Sequence, residues 1–206
     1  MRSETTPLSA EIRPFREPFE LFREILDEAT ATGMTDPNAM VLSTVDASGQ
    51  PSARVVLLKS FDEHGFVFYT NLESRKGREI LGNPKVSLDF YWRELGRQVV
   101  VLGTAEPVSP EEADAYFATR PRGSQLGAWV SQQSRPLAGG RGHLLAEVAR
   151  LEAHHLGGKI DRPPHWTGLR VVPHWIEIWI AGKFRLHDRT AYERADDGWK
   201  TTKLYP

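Results

Sequence analysis

Arg185, His187 and Arg189 place two guanidiniums and an imidazole in one short run, Arg185-Leu-His-Asp-Arg189, just after the alternating stretch Ile176-Glu-Ile-Trp-Ile180. In an extended chain alternate residues point the same way, so these three share one face and Leu186 and Asp188 take the other. Forked donors beside a ring that titrates near neutrality suit an anionic, planar ligand. The same row equally fits a solvated edge strand whose charges discourage edge pairing. The five residues alone leave both readings open.

Other residues carry phosphate chemistry. Asn71-Leu-Glu-Ser74 leads into Arg75-Lys-Gly-Arg78, with Ser74 as a helix N-cap and Gly82 as the stop. Cations in a first helical turn oppose the helix dipole at about 0.3–1 kcal/mol each unless an anion is present. Free backbone N–H groups plus this charge make a phosphate site, and the strand–turn–helix entry favours that reading over a tolerated surface helix. Tyr116 and Arg120 are four apart on a second predicted helix, with Ser124 in the turn after it. They fit a second phosphate or a plain Tyr–Arg surface pair. Arg54 and Lys59 have opposite strand parity, so either the chain bends near Lys59 or the two serve different groups. Gln98 begins an apolar strand, where an amide either has a defined partner or faces water.

These groups need a scaffold. Residues 1–15 read as a flexible N-terminal segment and 16–206 as a single domain. Residues 17–32 have helical spacing through Phe19, Phe22, Leu26 and Ala29. Met40–Val45 and Ser52–Leu58 form a hairpin, Phe66–Thr70 is a strand, and Val86–Trp92 pairs with Gln98–Pro107. Ser109-Pro-Glu-Glu112 starts the helix of Tyr116. Gln125–Val130 is helical, and so are residues 142–156, with Leu144, Leu145, Val148 and Leu151 inward. Leu169–Ile180, Phe184–Asp188, Ala191–Arg194 and Trp199–Leu204 close the chain as a meander. The fold class is mainly β with helical cover, an antiparallel, Greek-key-like, closed or partly closed barrel.

Composition excludes several classes. A net charge of -1 gives no bulk case for nucleic acid or anionic membrane. The chain has no cysteine, which removes disulfides, thiolate catalysis and Cys-ligated metals. His154 and His155 are adjacent and diverge, and His64, His143 and His165 sit in turns or polar contexts, so no metal site is expected. Gly157-Gly-Lys159 is not a P-loop and no Gly-x-Gly-x-x-Gly occurs. No run reaches membrane-span length, and Met1–Pro7 lacks an apolar signal stretch, so a cytoplasmic protein is expected.

Taken in order, several motifs resemble the pyridoxine/pyridoxamine 5'-phosphate oxidase family: Arg54-Val-Val-Leu-Leu-Lys59, Phe68-Tyr-Thr-Asn71, Ser74-Arg-Lys76, Arg97-Gln98, Arg120-Pro-Arg-Gly-Ser124, Trp129-Val-Ser-Gln-Gln-Ser134 and Trp179 with Arg185-Leu-His-Asp-Arg189. The resemblance implies a split β-barrel and a homodimer with FMN at the subunit interface. It implies FMN contacts from Arg54, Val55, Lys59, Tyr69, Thr70, Arg75, Lys76, Gln98, Gln133, Ser134, Trp179 and Arg189. The substrate phosphate falls to Lys59, Tyr116, Arg120 and Ser124, with Arg185 and His187 over the pyridine ring as the catalytic pair. The implied reaction oxidises pyridoxamine or pyridoxine 5'-phosphate to pyridoxal 5'-phosphate while O2 becomes H2O2.

A related branch, the phenazine-biosynthesis oxidases, shares the barrel but takes larger substrates, and the Arg120–Ser124 motif argues against it. A non-catalytic FMN or pyridoxal-phosphate binding module is the third reading, opposed by Arg185 and His187. The chain departs from the family pattern at Ile178, Ile180 and Ala181 and in Trp166-Thr-Gly-Leu-Arg170. It also lacks a recognisable Arg/Tyr lid segment in residues 1–15.

Overall fold

The computed structural model describes residues 11–14, 17–155 and 157–206. Ten strands join five helices: β1 (Glu11–Arg13), α1 (Glu17–Ala31), β2 (Ala39–Val45), β3 (Pro51–Leu57), β4 (Ser60–Asp62), β5 (Gly65–Asn71), α2 (Arg75–Gly82), β6 (Lys85–Trp92), β7 (Arg97–Pro107), α3 (Pro110–Thr119), α4 (Arg122–Val130), α5 (Gly140–His155), β8 (Trp166–Ile180), β9 (Asp188–Ala195) and β10 (Gly198–Leu204). Every pairing is antiparallel, in the order β1-β10-β9-β8-β7-β6-β2-β3, and β5 pairs with both β4 and the first half of β8. The sheet curls around one apolar face, which α1 covers.

Alternation explains the curl's inner face. Leu42, Leu88, Val101 and Ile176 stand in neighbouring strands and are fully buried. Phe22 of α1 inserts edge-on between three rings, with centroids 4.8 Å from Phe61, 5.1 Å from Phe66 and 4.8 Å from Phe90. Edge-to-face packing is a preferred arrangement for aromatic pairs and adds to the area they bury.

β8 carries a bulge. Leu102 of β7 faces Trp175 while Gly103 faces Pro173, so His174 is the extra residue. Before it the core residues are Leu169 and Val171; after it they are Ile176 and Ile178. The bulge therefore reverses which parity faces inward.

Three sequence expectations change. The run Arg185–Arg189 is not extended. Lys183–Arg185 form a 3-10 turn, Phe184 and Arg185 have φ of 57° and 64°, and β9 begins only at Asp188. The turn closes because the Leu186 N–H donates to the Lys183 carbonyl and the Gly182 N–H donates to His187 Nδ1 at 3.1 Å. A Cβ on Gly182 would lie 1.9 Å from the Leu186 carbonyl oxygen, so only glycine fits there. Arg185, His187 and Arg189 consequently do not form one row. In α5, Leu144, Val148 and Leu151 are half-buried, but Leu145 is 58% exposed, because this helix lies on α4 rather than the main core. Within the expected flexible segment, Glu11–Arg13 pairs with β10 as an edge strand, whereas the expected gap in the lid motif lies largely outside the described residues.

Phe22→Ala removes the ring on which three others converge. We expect a loss of about 3–5 kcal/mol in urea unfolding, the usual cost of truncating a buried Phe.

Candidate active site

A cleft of about 810 Å³ opens where β3, β5, the start of α2, α3, α4 and the segment after α4 converge. Arg54, Val55, Lys59, Tyr69, Thr70, Arg75, Lys76, Tyr116, Arg120, Ser124, Gln133 and Ser134 line it together. The lining holds five cations and no carboxylate.

The α2 end gathers positive charge. Ser74 caps the helix by accepting from the Gly77 N–H at 3.2 Å. Gly77 is required because a Cβ there would lie 2.3 Å from the Leu72 carbonyl oxygen. This contact seats the first turn against the end of β5. Lys76 Nζ donates to Gln133 Oε1 at 2.8 Å and to Thr70 Oγ1 at 3.2 Å. Among the described residues no carboxylate answers it, and burial, helped by the charge of Arg54, pushes its pKa down to about 8. Arg75 joins it in the cleft, while Arg78 turns away to the Glu73 carbonyl.

The parity puzzle of Arg54 and Lys59 resolves as a bend. β3 ends at Leu57, the Lys59 N–H donates to the Val67 carbonyl at 2.8 Å, and β4 begins at Ser60. Both side chains thereby reach the same cleft.

Beneath this end lies Glu79 of α2, 7% exposed. It accepts from Thr44 at 2.5 Å, Ser52 at 2.7 Å, Arg54 at 3.2 Å and Arg75 at 2.7 Å. Burial raises its pKa, but these four hydrogen bonds together hold it down to about 2. Sequence reading missed this residue, although its i,i+4 spacing to Arg75 was a usable signal.

The opposite wall is aromatic. The Tyr69 and Tyr116 rings stack with centroids 3.9 Å apart, and Trp166 lies parallel to both. Gly168 permits this, since a Cβ there would stand 2.7 Å from the Tyr69 ring. Burial pushes the Tyr69 phenol up to about 12, so it stays protonated. The Arg120 guanidinium lies 4.6 Å from the Trp166 centroid, and its Nη1 is buried without a partner. A buried guanidinium N–H without a partner has unused hydrogen-bonding capacity, and the same side chain lines the cleft.

The other five predicted residues do not line this cleft. Gln98, Trp179 and Arg189 pair in register across β7, β8 and β9 on the sheet's outer face. Gln98 donates to Asp89 at 2.9 Å. Arg189 grips Glu177 with two nitrogens, at 2.7 Å and 3.0 Å. The His187 ring lies 4.5 Å from Trp179, and Arg185 sits in the strained turn beside it. Exposed apolar residues, Tyr91, Leu102, Val41 and Val55, share the outer surface of the neighbouring strands.

Residues 26–155 match the family model described as "Pyridoxamine 5'-phosphate oxidase", and residues 166–206 match that for "Pyridoxine 5'-phosphate oxidase C-terminal dimerisation region". The chain belongs to the pyridoxine/pyridoxamine 5'-phosphate oxidase family. It is 52% identical to the pyridoxine/pyridoxamine 5'-phosphate oxidase of Agrobacterium fabrum, covering 99% of this chain and 100% of that one. The protein of the same name from Azorhizobium caulinodans is 55% identical, over 92% of this chain and 90% of its own length. Among solved structures, PhzG from Burkholderia lata 383, in complex with tetrahydrophenazine-1-carboxylic acid, superposes with a TM-score of 0.86 at 35% identity, covering 100% of this chain and 98% of that one. An FMN-binding protein from Nostoc punctiforme, with a TM-score of 0.75 at 16% identity over 95% of this chain and 100% of that one, shares the split-barrel fold.

Of the departures from the family pattern, the stretch Trp166–Arg170 brings Trp166 to the cleft, whereas Ile178, Ile180 and Ala181 fall away from it. Ile178 and Ile180 pack in or against the core. Ala181 fits because Gly96 opposes it without a side chain: a Cβ on Gly96 would come within 2.8 Å of the Ala181 Cβ.

The Lys76 environment sets a pH dependence. A phosphate ester is a dianion above about pH 6, and its binding favours charged Lys76. Binding therefore takes up a proton once free Lys76 has lost one, so affinity should hold steady to about pH 8 and fall above it. Isothermal titration with a phosphate ester from pH 6.5 to 9.5, as rough limits, checks this; Lys76→Met should weaken binding and flatten the profile.

Proposed function

We propose that this chain oxidises pyridoxamine 5'-phosphate and pyridoxine 5'-phosphate to pyridoxal 5'-phosphate, using FMN and reducing O2 to H2O2. The observation that carries the reading is that one cleft offers two distinct cationic ends and no acid. Arg75, Lys76 and Arg54 gather at the start of α2, and Arg120 waits with an orphaned donor on the aromatic wall. A phosphorylated cofactor and a phosphorylated substrate lying together would answer both. The names of the relatives agree.

The residues fit the cofactor. The α2 end would hold the FMN phosphate, with Thr70, Gln133 and Ser134 beside it and Val55 and Tyr69 along the ring system. Lys59, Tyr116, Arg120 and Ser124 would hold the substrate phosphate. Bound FMN supplies the two-electron acceptor that O2 afterwards regenerates. The protein's part is to bind, orient and exclude water, and no side chain is assigned as a general base.

Gln98, Trp179, Arg185, His187 and Arg189 belong to the same reading through a homodimer. They lie on the outer face of the chain, and four of them fall within the stretch that matches the dimerisation region. A second copy facing the cleft would bring Gln98, Trp179 and Arg189 to the flavin and Arg185 and His187 to the substrate ring. A larger-substrate oxidase is the second reading, favoured by the likeness to PhzG.

Turnover of both B6 phosphates should be followed by pyridoxal phosphate formation and peroxide release. Arg120→Ala should raise KM by about a hundredfold, the size of a lost charge-assisted contact, and Arg185→Ala should lower kcat. A yellow protein that turns over neither compound, or that oxidises unphosphorylated tricyclic acids instead, overturns the proposal.

A further inference from the structure

We propose that Glu79 is the positioning residue of the cleft's phosphate end, aiming the guanidiniums of Arg54 and Arg75 without touching the ligand itself. The inference rests on the reading of that end as the FMN phosphate site. Arg54 comes from β3 and Arg75 from α2, so nothing in either element alone fixes one guanidinium relative to the other. The Arg75 side chain is 54% exposed, and a long side chain in that setting has many rotamers open to it. The two arginines also share their cleft with Lys76, and like charges gathered in one place push apart.

Glu79 answers both problems. One carboxylate oxygen takes Arg75 Nε at 2.7 Å; the other takes Arg54 Nη2 at 3.2 Å together with the hydroxyls of Thr44 and Ser52. Both oxygens carry hydrogen bonds and the side chain does not line the cleft, so Glu79 offers nothing to a ligand. It engages Arg75 through Nε alone, which leaves that guanidinium's terminal nitrogens for the cleft. Thr44 completes the clamp: it is fully buried, does not line the cleft, and accepts from Arg54 Nη1 while donating to Glu79.

Two other roles are available to a carboxylate here, and they predict different signs. As a mere counter-charge it would weaken anion binding, so neutralising it would tighten FMN. As a purely structural plug it would affect every flavin alike through the fold. As a positioning residue it acts only on ligands that carry the phosphate.

The test compares FMN with riboflavin, which lacks the phosphate, by fluorescence titration of the flavin-stripped full chain. The variants are Glu79→Gln and Thr44→Val. We expect Glu79→Gln to raise the FMN Kd by about tenfold or more, as for the loss of a hydrogen bond between charged groups. The riboflavin Kd should stay within about twofold, because its contacts remain. Thr44→Val should move FMN in the same direction by a smaller factor, and it carries the test alone if Glu79→Gln does not fold by circular dichroism. Tighter FMN binding, or an equal loss for both flavins, overturns the inference. A wild-type chain that holds FMN no better than riboflavin overturns the cofactor reading beneath it, which separates that failure from this one.

Discussion

Arg54, Lys59, Arg75, Lys76 and Arg120 all face one cleft, and repulsion among these like charges is the constraint that the surrounding structure must manage. Four supports deliver the five: a strand brings Arg54, a bend Lys59, a helix start both Arg75 and Lys76, and a helix end Arg120. Gly77 lets α2 press on the Leu72 backbone, and the bend after Leu57 swings Lys59 round to the side that Arg54 already faces. A single carboxylate below the lining keeps the gathering tolerable without filling it. Burial is the main cause of the lowered pKa of Lys76, and the charge of Arg54 adds to it.

The aromatic wall solves a complementary problem. Tyr69, Tyr116 and Trp166 come from β5, α3 and β8, yet lie nearly parallel. Parallel rings present a flat, apolar edge that excludes water, and this strengthens every charge contact across the cleft. Arg120 lies against this wall with its Nη1 buried and without a partner. The cleft thus combines a cationic lining with one aromatic side.

Much of this was legible in the sequence because local chemistry dictated it. The Ser74 and Ser109 caps behave as their residue types require, each accepting an N–H three residues on. The clash of parity between Arg54 and Lys59 left a bend and two separate ligand groups both open, and the structure has the bend. What could not be read was set by contacts distant in sequence. The turn at Lys183–Arg185 depends on Gly182 passing under the Leu186 carbonyl, and two non-glycine residues adopt positive φ to follow it. Alternation suggested an extended row there because the side-chain pattern carries no trace of that backbone contact. The role of Glu79 was hidden because Thr44 and Ser52 lie far from α2 in sequence. Leu145 was misplaced because helical spacing identifies an apolar stripe but not how much surface is available to cover it.

The bulge at His174 divides β8 into two stretches that obey opposite rules. Before it, Trp166 and Gly168 serve the aromatic wall while Leu169 and Val171 fill the core; beyond it, Trp179 stands outside while Ile176 and Ile178 fill the core. One residue thus acts as a frameshift between two reading frames of inward and outward. Deleting His174 would leave Gly103–Pro173 and Leu102–Trp175 as consecutive pairs, so Ile176 and Ile178 would stay inward and the strand would lose only its local kink and added twist. Deleting one regularly paired residue beyond the bulge would instead turn the side chains that follow it to the opposite face, so the bulge is the one place in β8 where a residue can be lost without inverting the strand.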